Sequence, residues 1–243
     1  MLTLAFDSTA KAASVAVTDS DKLLAVYTVN NGLTQSELLL PMAENVLKSL
    51  KLTFSDIELL ACSVGPGSFT GVRIGTALVK GIAFGKNIPC ANVSTLEALA
   101  ENLFGTEGII VPVMDARRSQ LYTAVFEYRD GKMIRHTEDL AISTAELAEM
   151  LKNFDGKRIY AVGDGYDVAL KALTAAGVNL SKTPPILREE NAYSVARIAA
   201  RLHAAGKATG DLQHLPTYLR VPQAERERLE RLKNENNEQE IKK

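Results

Sequence analysis

The sequence predicts an α/β protein built from a duplicated unit of paired strands followed by helices. Three observations predict it. Apolar runs of strand length alternate with segments of helical length and periodicity along most of the 243 residues. Two of those runs end in an aspartate, Leu4-Ala5-Phe6-Asp7 and Val111-Pro112-Val113-Met114-Asp115, and each passes through a polar turn into a second strand, a weak internal repeat. Between an apolar run and a helix rich in small residues lies the turn Gly65-Pro66-Gly67-Ser68-Phe69-Thr70-Gly71-Val72-Arg73-Ile74-Gly75.

The first half opens with strands over 2–6, 13–17 and 23–29, joined by polar turns such as Thr18-Asp19-Ser20-Asp21, which read as a meander. Leu39, Met42, Ala43, Val46, Leu47 and Leu50 then recur at spacings of three and four, predicting a helix over 38–50 with Ser36 and Glu37 at its start. Pro41 removes one backbone donor early in that helix. A strand over 57–64, the glycine turn, a helix over 72–84, a strand over 90–93 and a helix over 95–103 complete the half.

The second half begins with a strand over 109–115, then one over 121–126 and a turn at Arg129-Asp130-Gly131-Lys132. A helix over 144–153, a strand over 158–162, the turn Gly163-Asp164-Gly165 and a helix over 168–176 follow. Pro184-Pro185 breaks the chain before a helix over 192–205, which Gly206 and Gly210 end. The tail over 223–243 carries six basic and six acidic residues around only Leu229, Leu232 and Ile241. An apolar stripe that thin favours a solvated helix over a partner-docking arm.

Composition removes several classes of function. A hydrophobic share of 46%, a charged share of 23% and a net charge of −1 describe an ordinary globular chain without the global basic footprint of a nucleic-acid binder, leaving local patches open. Cys62 and Cys90 both lie in apolar strand segments, where a thiol acts as a small hydrophobe, and neither has a base near it in sequence. His136, His203 and His214 lack the spacing of metal ligands. There is no Gly-x-Ser-x-Gly elbow. The N-terminus lacks a basic leader and no window reaches 18 apolar residues, so a cytoplasmic location away from membranes is expected. The glycine turn fits neither a P-loop, which needs Gly-Lys-Ser/Thr, nor a dinucleotide fingerprint, whose third glycine would fall at Thr70. A tight turn that packs a helix closely is the stronger reading of that segment than nucleotide binding.

The 65–75 undecamer, Leu4-Ala5-Phe6-Asp7-Ser8-Thr9, Ser14-Val15-Ala16-Val17, Leu39-Leu40-Pro41, Val93-Ser94-Thr95-Leu96, Asp115-Ala116-Arg117 with Tyr122, and Tyr218-Leu219-Arg220 together resemble the bacterial TsaB (YeaZ) family. That family sits within the superfamily of acetate kinase, sugar kinases, Hsp70 and actin (ASKHA). The resemblance implies two related ribonuclease-H-like domains, 1–105 and 106–222, with the 192–205 helix able to return to the first. It also implies a non-catalytic cytoplasmic subunit in the formation of threonylcarbamoyladenosine at adenosine 37 of tRNA. Such a subunit binds and activates the catalytic paralogue TsaD, works with the ATPase TsaE, meets tRNA through the complex, and forms a homodimer when alone.

Two groups of site residues follow from the resemblance. Asp7, Ser8 and Thr9 stand at the first phosphate hairpin of the superfamily, where ATP or ADP with Mg would bind, including at a subunit interface; alternatively they form a turn that hydrogen-bonds its own backbone. Lys11-Ala12-Ala13 in place of glycines favours the turn. Leu39, Met42, Ala43 and Val46 on one helix, with Gly71, Arg73, Gly75 and Leu78 on the other, form a patch for a second copy or for TsaD, against the alternative of packing within the chain. Asp115 and Arg117 read as an ion pair or hinge network, and no catalytic or metal-binding residue is expected. Gln35 falls where many family members carry histidine. Two rivals remain: a small-molecule kinase or ATPase of the same fold using Asp7, and a protease acting on the paralogue.

Overall fold

The structure, a computed structural model, describes residues 1–117 and 120–220; the charged tail predicted over 223–243 lies outside them. In the first strand, β1 (Leu2–Asp7), Leu4 and Phe6 point to one side and Ala5 to the other, and all three are fully buried. A strand apolar on both faces needs cover on both faces. β2 (Ala13–Asp19) and β3 (Lys22–Val29) pair antiparallel in sequence, β2 lying against β1, and β4 (Leu59–Ser63) and β5 (Cys90–Val93) add parallel strands on the other side of β1. The order is β3-β2-β1-β4-β5.

Register makes one face of this sheet unusually flat. Ala16, Ala5, Ala61 and Ala91 stand directly opposite one another on four neighbouring strands. Onto that row packs the late helix α6 (Ala192–Ala204), itself contributing Ala192, Ala196 and Ala199 beside Val195 and Ile198. Short side chains on both surfaces let helix and sheet approach closely. The opposite face, built on Leu4, Phe6, Val15 and Cys62, is covered by α1 (Gln35–Ser49) and α2 (Phe69–Ala83). α1 starts three residues earlier than its apolar periodicity indicated, because Thr34 precedes it and Glu37 accepts from the Thr34 N–H (3.4 Å) and hydroxyl (2.8 Å). α2 likewise starts at Phe69 rather than Val72, capped by Ser68, whose Oγ accepts from the Gly71 N–H at 3.3 Å.

The second sheet repeats the first. β6 (Gly108–Asp115) pairs antiparallel with β7 (Gln120–Thr123) along its later half and with β8 (Phe126–Arg129) along its earlier half. The single strand predicted over 121–126 is therefore two. The chain breaks register at Ala124-Val125, where the Val125 N–H donates to the Thr137 hydroxyl (2.9 Å) and the Val125 carbonyl accepts from the His136 N–H (2.8 Å). β9 (Lys132–Arg135) extends β8 and β10 (Leu140–Ser143) extends β7, while β11 (Ile159–Val162) and β12 (Leu180–Ser181) continue parallel beyond β6. The helices α4 (Thr144–Leu151) and α5 (Tyr166–Ala175) cover its outer face as α1 and α2 cover theirs. Two related ribonuclease-H-like units result.

Between the two sheets, α3 (Thr95–Glu101) packs Leu96, Leu99 and Ala100 onto Ile110, Met114 and Phe126, and its other side meets α6. Glu101, buried, receives both guanidinium nitrogens of Arg201 at 2.9 Å and one of Arg197 at 3.3 Å. Replacing one partner of a buried ion cluster leaves the others unpaired. Glu101→Gln is expected to lower stability by about 2 kcal/mol in urea unfolding, less than for a wholly buried cluster because Arg201 is half-exposed and can turn to water. Among the described residues no helix is long and apolar enough to cross a membrane.

Candidate functional site

β1 ends at Asp7, and the next two residues hold the glycine turn in place. The Asp7 carboxylate accepts from the Thr9 N–H (3.0 Å), the Thr9 hydroxyl (2.7 Å) and the Ser63 hydroxyl (2.5 Å), and is 1% exposed. Ser8 Oγ donates to the Gly71 carbonyl (2.9 Å), and the Thr9 carbonyl accepts from the Ser68 N–H (2.7 Å). A Cβ on Gly71 would collide with the Ser8 carbonyl oxygen, and one on Gly75 would stand 2.7 Å from Ser8 Oγ. These two glycines let α2 press its N-terminus onto the end of β1. Asp7, Ser8 and Thr9 thus form the turn that bonds its own backbone. The Asp7 oxygens accept from protein donors and the Ser8 and Thr9 hydroxyls donate to acceptors of the same chain, so this turn is a poor fit for Mg or a phosphate.

Beside this turn lies a carboxyl with no donor. Glu190 is 2% exposed and neither of its oxygens has a hydrogen-bond partner among the described residues. Burial pushes it well above the usual carboxylate range, and the nearby Asp7 and Asp164 charges add to the shift. Burial also raises Asp7, but its three donors oppose that rise, so Glu190 is the member of the pair that keeps its proton.

The predicted patch on the two helices needs correction. Leu39, Met42, Ala43 and Val46 are buried in the core against β1, β2 and β4, and Gly71 and Gly75 are buried against Ser8. Leu78 is half-buried on the same core, which leaves Arg73 as the exposed member of the set. Apolar periodicity marked the inward face of each helix. The outward face is different: Leu40, Pro41 and Glu44 on α1, with Arg73, Ala77, Gly81 and the following Phe84 on α2, all exposed. Phe84 is 78% exposed. Among the described residues, nothing outside its own helix backbone and its chain neighbours lies within 4 Å of where a Gly81 Cβ would stand.

A cleft of about 630 Å³ opens between the two units. Lys11 and the glycine turn line one side, Asp115, Arg117, Tyr122 and Asp164 the other, and the segment 217–220 spans them. That segment is tied to the first unit by the Thr217 N–H, which donates to the Val64 carbonyl (2.7 Å), and to the second by Arg220, whose Nη1 donates to the Ala116 carbonyl (2.9 Å). The Phe69 and Tyr218 rings lie 5.0 Å apart between centres, tilted by 36°; Arg73 lies 4.0 Å over Phe69 and donates to the Tyr218 oxygen at 3.0 Å. Asp115 does not pair with the Arg117 guanidinium. It accepts instead from the Arg117 N–H (2.7 Å), holding Arg117 at a φ of 62°, while the Asp115 N–H donates to Asp164 (3.1 Å). Asp164 is raised by desolvation, with the Asp115 charge adding and Lys11 opposing.

One pairing escaped sequence reasoning altogether. His214, 152 residues along the chain, places Nε2 3.1 Å from Cys62 Sγ, so the cysteine does have an imidazole beside it. Both side chains are fully buried. Burial pushes the Cys62 thiol up and the His214 imidazole down to about 4, the reverse of what an activated thiolate needs. Thiol and neutral imidazole form a structural hydrogen bond, not a protease dyad.

Comparison with known proteins agrees with this geometry. The family model described as "TsaD: tRNA N6-adenosine threonylcarbamoyltransferase" matches residues 34–228. The tRNA threonylcarbamoyladenosine biosynthesis protein TsaB of Bacillus subtilis (strain 168) is 33% identical over 170 residues, covering 70% of this chain and 73% of that protein. Its namesake from Escherichia coli (strain K12) is 30% identical over 224 residues, covering 90% and 95%. The solved structure "YeaZ from Pseudomonas aeruginosa" shares the fold with a TM-score of 0.74 at 23% identity, covering 90% of this chain and 99% of that one. At 33% and 30% identity over more than two thirds of both relatives, and with a related TsaD model matching 34–228, the chain belongs to the TsaB family.

Proposed function

We propose that the chain serves tRNA threonylcarbamoyladenosine synthesis in the cytoplasm as a non-catalytic subunit, its outer α1–α2 face binding and activating a TsaD-type transferase that modifies adenosine 37. The same face pairs two copies of the chain when the transferase is absent, and the ATPase TsaE acts with the complex. Gly81 carries this reading. A glycine within a helix costs about 1 kcal/mol relative to alanine, and whereas Gly71 and Gly75 are explained by Ser8, no group among the described residues outside its own helix backbone and its chain neighbours comes within 4 Å of where a Gly81 Cβ would stand. A neighbour from outside gives it a reason. Ala77 one turn earlier and exposed Phe84 beyond it extend the same strip, as small and apolar surfaces that admit a second helix do. The closure of the Asp7 turn by its own chain weighs against the kinase and ATPase alternative.

Gly81→Arg is expected to abolish co-purification with the transferase and to stop tRNA modification in a reconstituted assay, with the circular dichroism spectrum unchanged. Gly75→Arg is unsuitable for this purpose, because that glycine is buried against Ser8 and the variant would fail by misfolding. Association that survives Gly81→Arg removes the face from consideration.

A further inference from the structure

We propose that the cleft between the two units receives a short stretch of an RNA strand, with three of its phosphates held by Lys11, Arg117 and Arg220, one at each, and a base laid on the Phe69–Tyr218 pair. The inference rests on the role in tRNA modification given above, and concerns a surface other than the α1–α2 face.

Four cations converge here. Lys11, Arg117 and Arg220 line the cleft and Arg73 stands at its edge beside Tyr218. Among the described residues none of the four has a carboxylate within 4 Å. Arg135, Arg197 and Arg201, by contrast, are all paired. The two acids of the cleft, Asp115 and Asp164, accept from backbone N–H groups that fix the loops. Asp115 holds the Arg117 backbone in a left-handed conformation, leaving the guanidinium exposed rather than neutralised. What sets these four apart is their convergence on one cleft in a chain of net charge −1, which suits the site to an anion.

The aromatic groups indicate what kind of anion. Tyr218 is exposed, its ring 5.0 Å from that of Phe69 and tilted by 36°; the Arg73 guanidinium lies over Phe69 and bonds the Tyr218 oxygen, and Arg220 lies 5.7 Å over Tyr122. Flat aromatic and guanidinium surfaces beside unpaired cations suit a base joined to a phosphate. An acidic peptide would use the cations and leave the aromatic pair idle. Lys11, Arg117 and Tyr218 are all exposed at the mouth, as contacts along a continuing backbone require.

The test is fluorescence anisotropy of a labelled, unmodified tRNA anticodon stem-loop with the full-length chain, from 50 to 200 mM KCl. Three phosphate contacts predict a slope of log affinity against log salt of about −2. Lys11→Glu/Arg117→Glu is expected to weaken binding at least tenfold and to make the slope shallower by about 1.4. Tyr218→Ala is expected to weaken it fivefold or more without changing the slope. Should the reversed pair lower the thermal midpoint, Lys11→Gln/Arg117→Gln carries the same prediction with a smaller loss. No saturable binding by about 100 μM, the weak end of non-specific association, overturns the proposal. So does binding that ignores these substitutions. ADP or inorganic phosphate binding sensitive to the pair while the stem-loop does not bind also overturns it, in favour of a small-anion site. Co-purification of each variant with the transferase is measured in parallel: intact association with unchanged RNA binding sinks this inference alone, and lost association points to the proposed function instead.

Discussion

Gly71→Ala lowers stability by about 3 kcal/mol or more in urea unfolding, while the same substitution ten residues later, Gly81→Ala, leaves the isolated chain as stable or raises it by up to about 1 kcal/mol. Helix propensity alone would have both changes stabilise. At Gly71 the added methyl meets the Ser8 carbonyl oxygen, a backbone atom that cannot move aside without dragging the end of β1. Ser8 Oγ donates to the Gly71 carbonyl and the neighbouring Thr9 carbonyl accepts from the Ser68 N–H, so lifting α2 away strains both bonds together. At Gly81 the methyl enters open space on the exposed face, and only the entropy saved in the unfolded chain counts. Equal effects at the two positions would mean that α2 is not seated on Ser8 as described.

That contrast also explains what the sequence could and could not reveal. Strand-length apolar runs, the paired aspartate ends at Asp7 and Asp115 and the glycine turn are local signals, and they were enough to indicate duplicated α/β units. Direction was not legible. Small residues recur in α2 at Gly71 and Gly75 and again at Ala77 and Gly81, each pair four apart, so periodicity offers two candidate faces and no means of choosing the outer one. The division of 121–126 into two strands was hidden because Thr123, Ala124, Val125 and Phe126, which flank the break, are all buried, and a continuous buried run does not record a change of partner. Two-residue β12 is too short for any pattern. Arg188-Glu189-Glu190-Asn191 is polar throughout and carries no apolar signal of burial, yet Asn102 anchors it through the Leu187 and Glu189 carbonyls and Glu190 is forced inside. The His214–Cys62 contact is set entirely by tertiary packing.

Those two buried groups should set the pH profile of stability, with opposite signs. His214 titrates near 4 in the fold because burial disfavours its charge, against about 6.5 in the unfolded chain. Below pH 6.5 the unfolded state gains a proton that the folded state refuses, so stability falls as pH drops toward 4. Between pH 7 and 5 this costs about 2 kcal/mol, a loss that His214→Gln is expected to remove even though the variant starts from a lower value for want of the Cys62 bond. Glu190 works the other way. Its folded carboxyl holds a proton that the unfolded chain releases, so its contribution is full below the usual carboxylate range and is lost as pH rises through its folded value. Glu190→Gln keeps the neutral shape and is expected to be more stable than the parent at pH 8, with the advantage vanishing toward pH 4. Asp7, Asp164 and Glu189, the acids whose charges act on Glu190, remain in both proteins. The difference between the parent and Glu190→Gln curves therefore reports Glu190 and the relief of its neighbours. Parallel curves for all three proteins across pH 4 to 8 would show that neither side chain is held as the structure places it.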